Sequence, residues 1–317
     1  MRHRRSALIQ LGILVLLGAS VVLSLVLPQL SVSGREHQPM EVSVIIREAD
    51  SSPWSNVRLG LEQAAGDYGA ELRFLTLSRT NDGSEQADLV RREAEGGADA
   101  LVVVAADPEN LATQLPQGVG NCPVVCMESM VEGCKLTVAP DNQRLGEELA
   151  RAVLEDWTGG VVLLLDTGGN STGVSDRLTA AKQILQQAGV PVETRIARVS
   201  ALVNVLSALV AETSAVRIMT FEASATEQVI LAKENAALLQ PLYGVGVSSG
   251  VASALERGDV AAIAAWSDYA AGYLAVEGAV HLAQGEEYSA DALPVSIVRG
   301  EDIYEPDHEK LLFPVTS

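Results

Sequence analysis

Apolar residues fall along this chain in short blocks separated by polar turns and longer amphipathic stretches. The β-branched run Val42 to Ile46 reads as a buried strand. A polar loop ending in Pro53-Trp54 then leads into a helix with Val57, Leu61 and Ala64/Ala65 on one face. The same grammar repeats. Strands are predicted over 71–77, 100–104, 123–127 and 137–139, with a helix from Gln86 to Glu95 stopped by Gly96-Gly97 and another opening at Asp107-Pro108. It restarts at Asp141, which heads a helix carrying Leu145, Leu149, Ala152 and Val153. Further strands follow over 161–165, 190–199, 215–221, 242–247, 261–265 and 294–298, with helices over 202–211, 226–239 and 269–283 and one containing Arg177, Ala181, Ile184 and Leu185. Alternating strands and helices at this spacing imply parallel sheets with helices on both faces. The strand count exceeds one small sheet, so two similar α/β lobes are expected. Ligands of open parallel sheets sit beyond the carboxyl ends of the strands, which puts Trp54 at the mouth of a cleft with its ring free to stack.

Composition narrows the function classes. The 317 residues are 48% hydrophobic with a net charge of -19, which repels nucleic acid phosphate, and no basic stripe interrupts the acidic surface. The basic cluster Arg2, His3, Arg4 and Arg5 precedes an apolar run from Ala7 to Leu27. Its roughly 21 residues suffice for a membrane helix, and the positive flank keeps the N-terminus cytoplasmic. The run is longer than a usual secretory core, so an uncleaved anchor is expected. Cleavage after Ser31-Val32-Ser33 would instead release a secreted protein. Either way the folded part lies outside the cytoplasmic membrane. Cys122, Cys126 and Cys134 leave room for one disulfide, Cys134 with either of the others, or for buried free thiols. Histidines at 3, 37, 281 and 308 are scattered, so neither a metal nor a cofactor is expected. The glycines of Gly244 to Gly250 have the wrong spacing for a dinucleotide loop, and no Ser or Cys nucleophile has a plausible His partner, so no enzyme activity is expected.

Several segments together resemble one family across nearly all of residues 41 to 300. The first strand with Pro53-Trp54 and Gly60, the strand Ala98 to Val104 followed by Asp107-Pro108, Pro123 to Glu128, Pro140-Asp141-Asn142 before Gly146, Arg177-Leu178, and Gly272 to Glu277 with Gly285 resemble type I periplasmic binding proteins. This is the ribose- and galactose-binding family related to the ligand-binding half of the LacI repressors. The resemblance implies two Rossmann-like lobes joined by three crossings near Asn142, Ser267 and Pro294, closing over a ligand by hinge bending. The implied division is an anchor over 1–28, a spacer over 29–40, a first lobe over 41–141 with 267–294, and a second over 142–266 with 295–317. In place of the repressors' DNA-binding helices a membrane segment is expected ahead of the first lobe.

The resemblance also implies a site. Trp54, with Ser52 beside it, would stack on a sugar ring, while Asp107, Glu128, Arg177 and Asp141 would hydrogen-bond its hydroxyls. For Asp107 and Asp141 the competing role is helix capping, and for Arg177 a surface ion pair. The sequence departs from the family where Glu222 replaces an Asn, Gly246 an Asp, and Trp266 a hinge Gln or Asn. That pocket suits a sugar derivative, a nucleoside or a cationic ligand. The expected partner of such a solute-binding protein is an ABC permease; the alternative is a sensor kinase or chemoreceptor in the same membrane.

Overall fold

The computed structural model describes residues 39–313, so the apolar N-terminal run and the anchor expected there lie outside the described residues. Among the described residues no helix is long and apolar enough to cross a membrane.

The first lobe is built on a five-stranded parallel sheet in the order β2-β1-β3-β4-β5. Its strands are β1 (Met40–Ile45), β2 (Ala70–Leu75), β3 (Ala100–Val104), β4 (Val124–Met127) and β5 (Leu136–Val138). Between them lie α1 (Ser55–Tyr68), α2 (Gly83–Glu95) and α3 (Pro108–Gly118). Alternate residues of these strands feed two cores. Val42, Val44 and Val102 pack with Leu61 of α1, whereas Leu101, Val103 and Cys126 pack with Val90 of α2 and Leu111 of α3. Burial on both faces is why the strands read as continuous apolar runs.

The chain then enters α4 (Asn142–Glu155) and the second lobe, a six-stranded sheet in the order β11-β10-β9-β8-β6-β7. It comprises β6 (Val161–Asp166), α5 (Thr172–Gln187), β7 (Val192–Ile196), α6 (Leu202–Thr213), β8 (Ala215–Met219), α7 (Ala223–Ala236), β9 (Leu242–Val245), α8 (Ser249–Glu256) and β10 (Ala262–Ala265). Helix α9 (Asp268–Ala283) returns to the first sheet, where Ala271, Ala275 and Ala279 join its core. The chain crosses once more into β11 (Ser296–Arg299) and ends in α10 (Pro306–Leu312). The first and third crossing segments touch, because Leu293 N donates to Ala139 O at 3.0 Å beside a bridge between Pro140 and Leu293.

Two details differ from the sequence reading. Strand β11 runs antiparallel to β10, correcting the all-parallel expectation. It arrives from the other lobe instead of through a crossover helix, so nothing forces it parallel. Helices α8 and α10 were not expected. The first lies directly behind the glycines of 244–250, which mask its start, and the second is a single short stretch after Glu305-Pro306. The cysteine alternatives also resolve. Cys126 is bonded to Cys134, and Cys122 is free, its thiol pushed up to about 11 by burial and then by Asp99.

One close helix contact bears on the site. A Cβ added at Gly146 of α4 would stand 2.0 Å from the carbonyl oxygen of Arg177 in α5, so only glycine lets these helices approach this closely.

Candidate ligand-binding site

The loops that follow β1, β2, β3 and β4 face those that follow β6, β8 and β9, so the carboxyl ends of both sheets meet. The residues there are charged. Arg47 and Glu48 come two and three positions after β1, Glu128 directly follows β4, and Glu222 precedes α7 as its N-cap. Arg47, Arg177 and Glu222 are at most 1% exposed.

These side chains form one network between the lobes. Arg47 Nη2 pairs with Glu222 Oε2 at 2.6 Å and with Glu128 Oε2 at 3.2 Å, and its Nη1 donates to Asn81 Oδ1 at 3.1 Å. Glu48 Oε1 lies 3.5 Å from Arg47 Nε. From the other lobe, Arg177 Nη1 donates to Glu128 Oε1 at 2.9 Å and to Phe221 O at 3.0 Å, and its Nε donates to Asn142 Oδ1 at 2.7 Å. Thr167 donates its hydroxyl to Glu222. The guanidinium of Arg177 also stacks over Trp266, 4.8 Å from the ring centroid.

Burial sets the charge states. It pushes Glu128 up, but Arg47 and Arg177 outweigh it and hold the carboxyl below the usual range. Glu48 is pushed up to about 8, because burial together with Glu128 and Glu222 outweighs Arg47. Asp268, at the start of α9, is pushed up to about 7 by burial and then by Glu128, against Arg177. Burial works against the charge of Arg47, yet Glu222, Glu48 and Glu128 raise its pKa well above the ordinary value.

Beside the network lies a cavity of about 40 Å³ lined by Trp54, Trp266, Glu48, Glu128, Asp268 and Ser224. Besides Glu222 Oε2, which is held by its ion pair with Arg47, three buried polar atoms here have no hydrogen-bond partner among the described residues: Glu48 Oε2, Arg177 Nη2 and Ser224 Oγ. The volume admits only a few water-sized groups, against about 300 Å³ for the smaller pockets that enclose ligands. A wider groove of about 1040 Å³, lined by Asn81, Asp107, Asp166, Thr167 and Asn170, also lies between the lobes. Because Asn81 lines the groove and Arg47 the cavity, the two spaces adjoin across the hydrogen bond between those residues.

The residues anticipated from sequence therefore separate into groups. Trp54, Glu128 and Trp266 line the cavity, and Arg177 and Glu222 hold its charged wall. Asp107 lies in the groove, capping α3 through Asn110 N at 3.0 Å while accepting from Asn170 of the other lobe at 2.5 Å. Asp141 is exposed and caps α4 through Arg144 N at 2.9 Å, and Ser52 is exposed and donates to Asp50 at 2.7 Å. Neither lines the cavity or the groove. Gly246 lines the cavity with φ 125, and a Cβ there would come within 2.8 Å of Ala223, so this loop leaves no room for the acid of the family pattern. Arg47, Glu48, Asn81 and Asp268 were not anticipated. The signal for the first two was a pair of opposite charges directly behind a wholly apolar strand.

Two α/β lobes whose strand ends face one another across a polar cleft define a two-lobed solute-binding architecture. The chain belongs to the periplasmic binding protein family: a family model described as "Periplasmic binding protein domain" matches residues 42–287. Among solved structures it is similar to an ABC transporter solute-binding protein from Agrobacterium vitis with bound D-fucose, at 18% identity and TM-score 0.78, covering 86% of this chain and 100% of that one. A carbohydrate transporter solute-binding protein from Agrobacterium radiobacter, in complex with D-arabinose, gives 17% identity and TM-score 0.79 over 87% of this chain and 100% of that one. One from Bacillus halodurans with bound myo-inositol gives 18% and 0.74 over 87% and 99%. No curated protein sequence matches.

Proposed function

We propose that this protein captures a small polar solute between its lobes outside the cytoplasmic membrane, a sugar or sugar derivative in first place, and presents the closed form to an ABC-type importer. The observation that carries the reading is the set of unpartnered buried atoms, Glu48 Oε2, Arg177 Nη2 and Ser224 Oγ, beside Trp54 and Trp266 where both sheets end. Buried polar atoms left unpaired cost free energy, and a ligand with hydroxyl or amino groups supplies their missing partners. Indole faces add stacking area for a ring. The sugars and the cyclitol bound by proteins of the same fold support this choice of ligand class. Trp54, Glu128, Arg177, Glu222 and Trp266 carry the recognition in this reading; Asp107 contributes from the groove. The N-terminal apolar run would tether the protein to the membrane.

A second reading, an anchored sensor that passes its ligand state to a kinase or chemoreceptor, is favoured by one observation. Four carboxyls, those of Glu48, Glu128, Glu222 and Asp268, surround two guanidinium groups, and a cationic ligand or a nucleoside base would gain from them as Asp268 and Glu48 give up their protons near pH 7 and 8.

A thermal-shift screen of the full-length protein against sugars, polyols, nucleosides and small cations tests both readings, because a ligand that binds only the folded state raises the melting point. Sugars or polyols should give the rise. A rise with nucleosides or cations alone would transfer the site to the second reading, and silence across the panel would remove solute capture.

A further inference from the structure

Arg47 is tied more closely than packing requires. Its guanidinium takes partners from both lobes, Glu128, Asn81 and Glu48 in the first and Glu222 in the second. Two of those partners hold unusual backbone. Asn81 has φ 63 and Glu128 φ 67, a left-handed conformation that asparagine tolerates but that costs energy at Glu128. The other non-glycine residues with positive φ among the described residues, Ser214 and Ala237, are helix C-caps, where this conformation is routine. Glu128, where the left-handed backbone falls on neither an asparagine nor a helix cap, is thus a partner of Arg47, and Asn81, directly before the N-cap of α2, is another.

The remaining contacts point the same way. Arg177 is fixed within its own lobe by Asn142 and the carbonyl of Phe221 and reaches across only to Glu128. Arg47 stands instead between the inner cavity and the outer groove, and its carboxylate partners Glu128 and Glu222 are the ones assigned above to ligand recognition. A planar cation with in-plane donors matches carboxylates converging from several directions, so the arrangement is that of a guanidinium-binding site filled from within.

We infer that Arg47 is a tethered occupant of the interlobe site: its guanidinium engages the partners a bound solute would use and holds the lobes together. A solute enters by displacing Arg47 into the groove, and a ligand with a compact cationic head competes most directly, because it inherits Glu128 and Glu222. The inference takes the identity of the site from the solute-binding reading, but its test does not depend on any solute.

Small-angle X-ray scattering of the full-length protein provides that test, comparing wild type, Arg47→Ala and Glu222→Gln, each with and without millimolar methylguanidinium. The wild type should be compact with or without the cation, because the lobes stay bridged whichever guanidinium occupies Glu128 and Glu222. Arg47→Ala should show a larger radius of gyration that methylguanidinium returns toward wild type, and Glu222→Gln should be expanded and not rescued. An Arg47→Ala profile identical to wild type overturns the inference, as does an expanded one that methylguanidinium leaves unchanged. Should Arg47→Ala fail to fold, Glu222→Gln preserves side-chain volume, and a wild-type profile for it overturns the inference equally. Opening with rescue, but no thermal response to any solute, removes the solute-binding reading and keeps this one. A thermal response to sugars with a compact Arg47→Ala does the reverse.

Discussion

Two carboxyls in the interlobe cavity, Glu48 and Asp268, keep their protons at a pH where an exposed acid has lost them. With both neutral, Arg47 and Arg177 are balanced by the ion-paired Glu128 and Glu222, so a nearly dry site carries little net charge. The pH dependence follows. Glu48 ionises near 4.5 in the unfolded chain and near 8 in the folded one, so across that interval the folded state holds the extra proton and stability falls as pH rises. Asp268 acts in the same direction between 3.8 and about 7. Glu128, held low in the fold, acts oppositely: its contribution is present above 4.5 and is lost as pH falls through its folded value. Glu48→Gln should therefore flatten the decline of melting temperature between about pH 5 and 8, an interval worth a few kcal/mol in the wild type. A variant that follows the wild-type curve over that interval would mean that Glu48 does not hold the proton. Trp54→Ala is expected to weaken ligand binding by roughly 1–3 kcal/mol through lost stacking area, read by calorimetric titration with any ligand from the screen. Trp54, Glu128 and Arg177 were visible in the sequence because each belongs to a short local pattern. Arg47 and Asp268 were not, because what distinguishes them is burial against partners far away in the chain, Glu222 for the first and Glu128 for the second.

Elements were more legible than residues because their signal is local. The strands are buried on both faces, so each announces itself as an apolar run, and caps such as Asp107 and Asp141 fix helix starts by accepting from backbone N–H groups, whereas the cap at Asp82 was not anticipated and α2 starts at Gly83 instead of Gln86. The direction of β11 was not legible, since four residues carry no mark of the side from which the chain arrives. Helix packing shows the same limit at Gly146, whose role depends on a carbonyl 31 positions later, that of Arg177. Gly146→Ala should cost about 1–3 kcal/mol by forcing α4 from α5. Because α5 carries Arg177, the shift should also lower the response to ligand. Gly66→Ala is the contrasting variant: Gly66 lies inside α1 with nothing within 4 Å of an added Cβ, so it should gain up to about 1 kcal/mol from helix propensity. Denaturant unfolding of both variants distinguishes a packing effect from a general sensitivity to glycine replacement. Equal effects would discount the close contact at Gly146.

Across the whole molecule, each lobe has its own cores, and the cavity network is only one of several ties between them. Asn56 Nδ2 donates to Val247 O at 2.9 Å, Gly173 N to Ser129 Oγ at 3.0 Å and Asn142 Nδ2 to Glu128 O at 2.7 Å, so the cleft is stitched from the hinge outward by hydrogen bonds that water would replace on opening. Those neutral bonds are individually worth little net free energy. The ion pairs differ, because removing one partner leaves a buried charge uncompensated, at about 3–5 kcal/mol. Glu128 is the residue at which both guanidinium groups meet: it pairs with Arg177 across the cleft and, within its own lobe, with Arg47, which in turn reaches across to Glu222, so its carboxylate bears on both charged links between two bodies that could otherwise unfold separately. Calorimetry should show one transition for the wild-type protein and two for Glu128→Gln, which keeps the volume and loses the charge. The first transition should be the lobe left with the less compensated arginine. Arg177 retains only the neutral Asn142 and Phe221 O, whereas Arg47 retains Asn81 and Glu48 in its own lobe and Glu222 across the cleft, so the second lobe should melt earlier. A single transition in the variant would assign the coupling to the remaining Arg47–Glu222 pair and the three chain crossings instead.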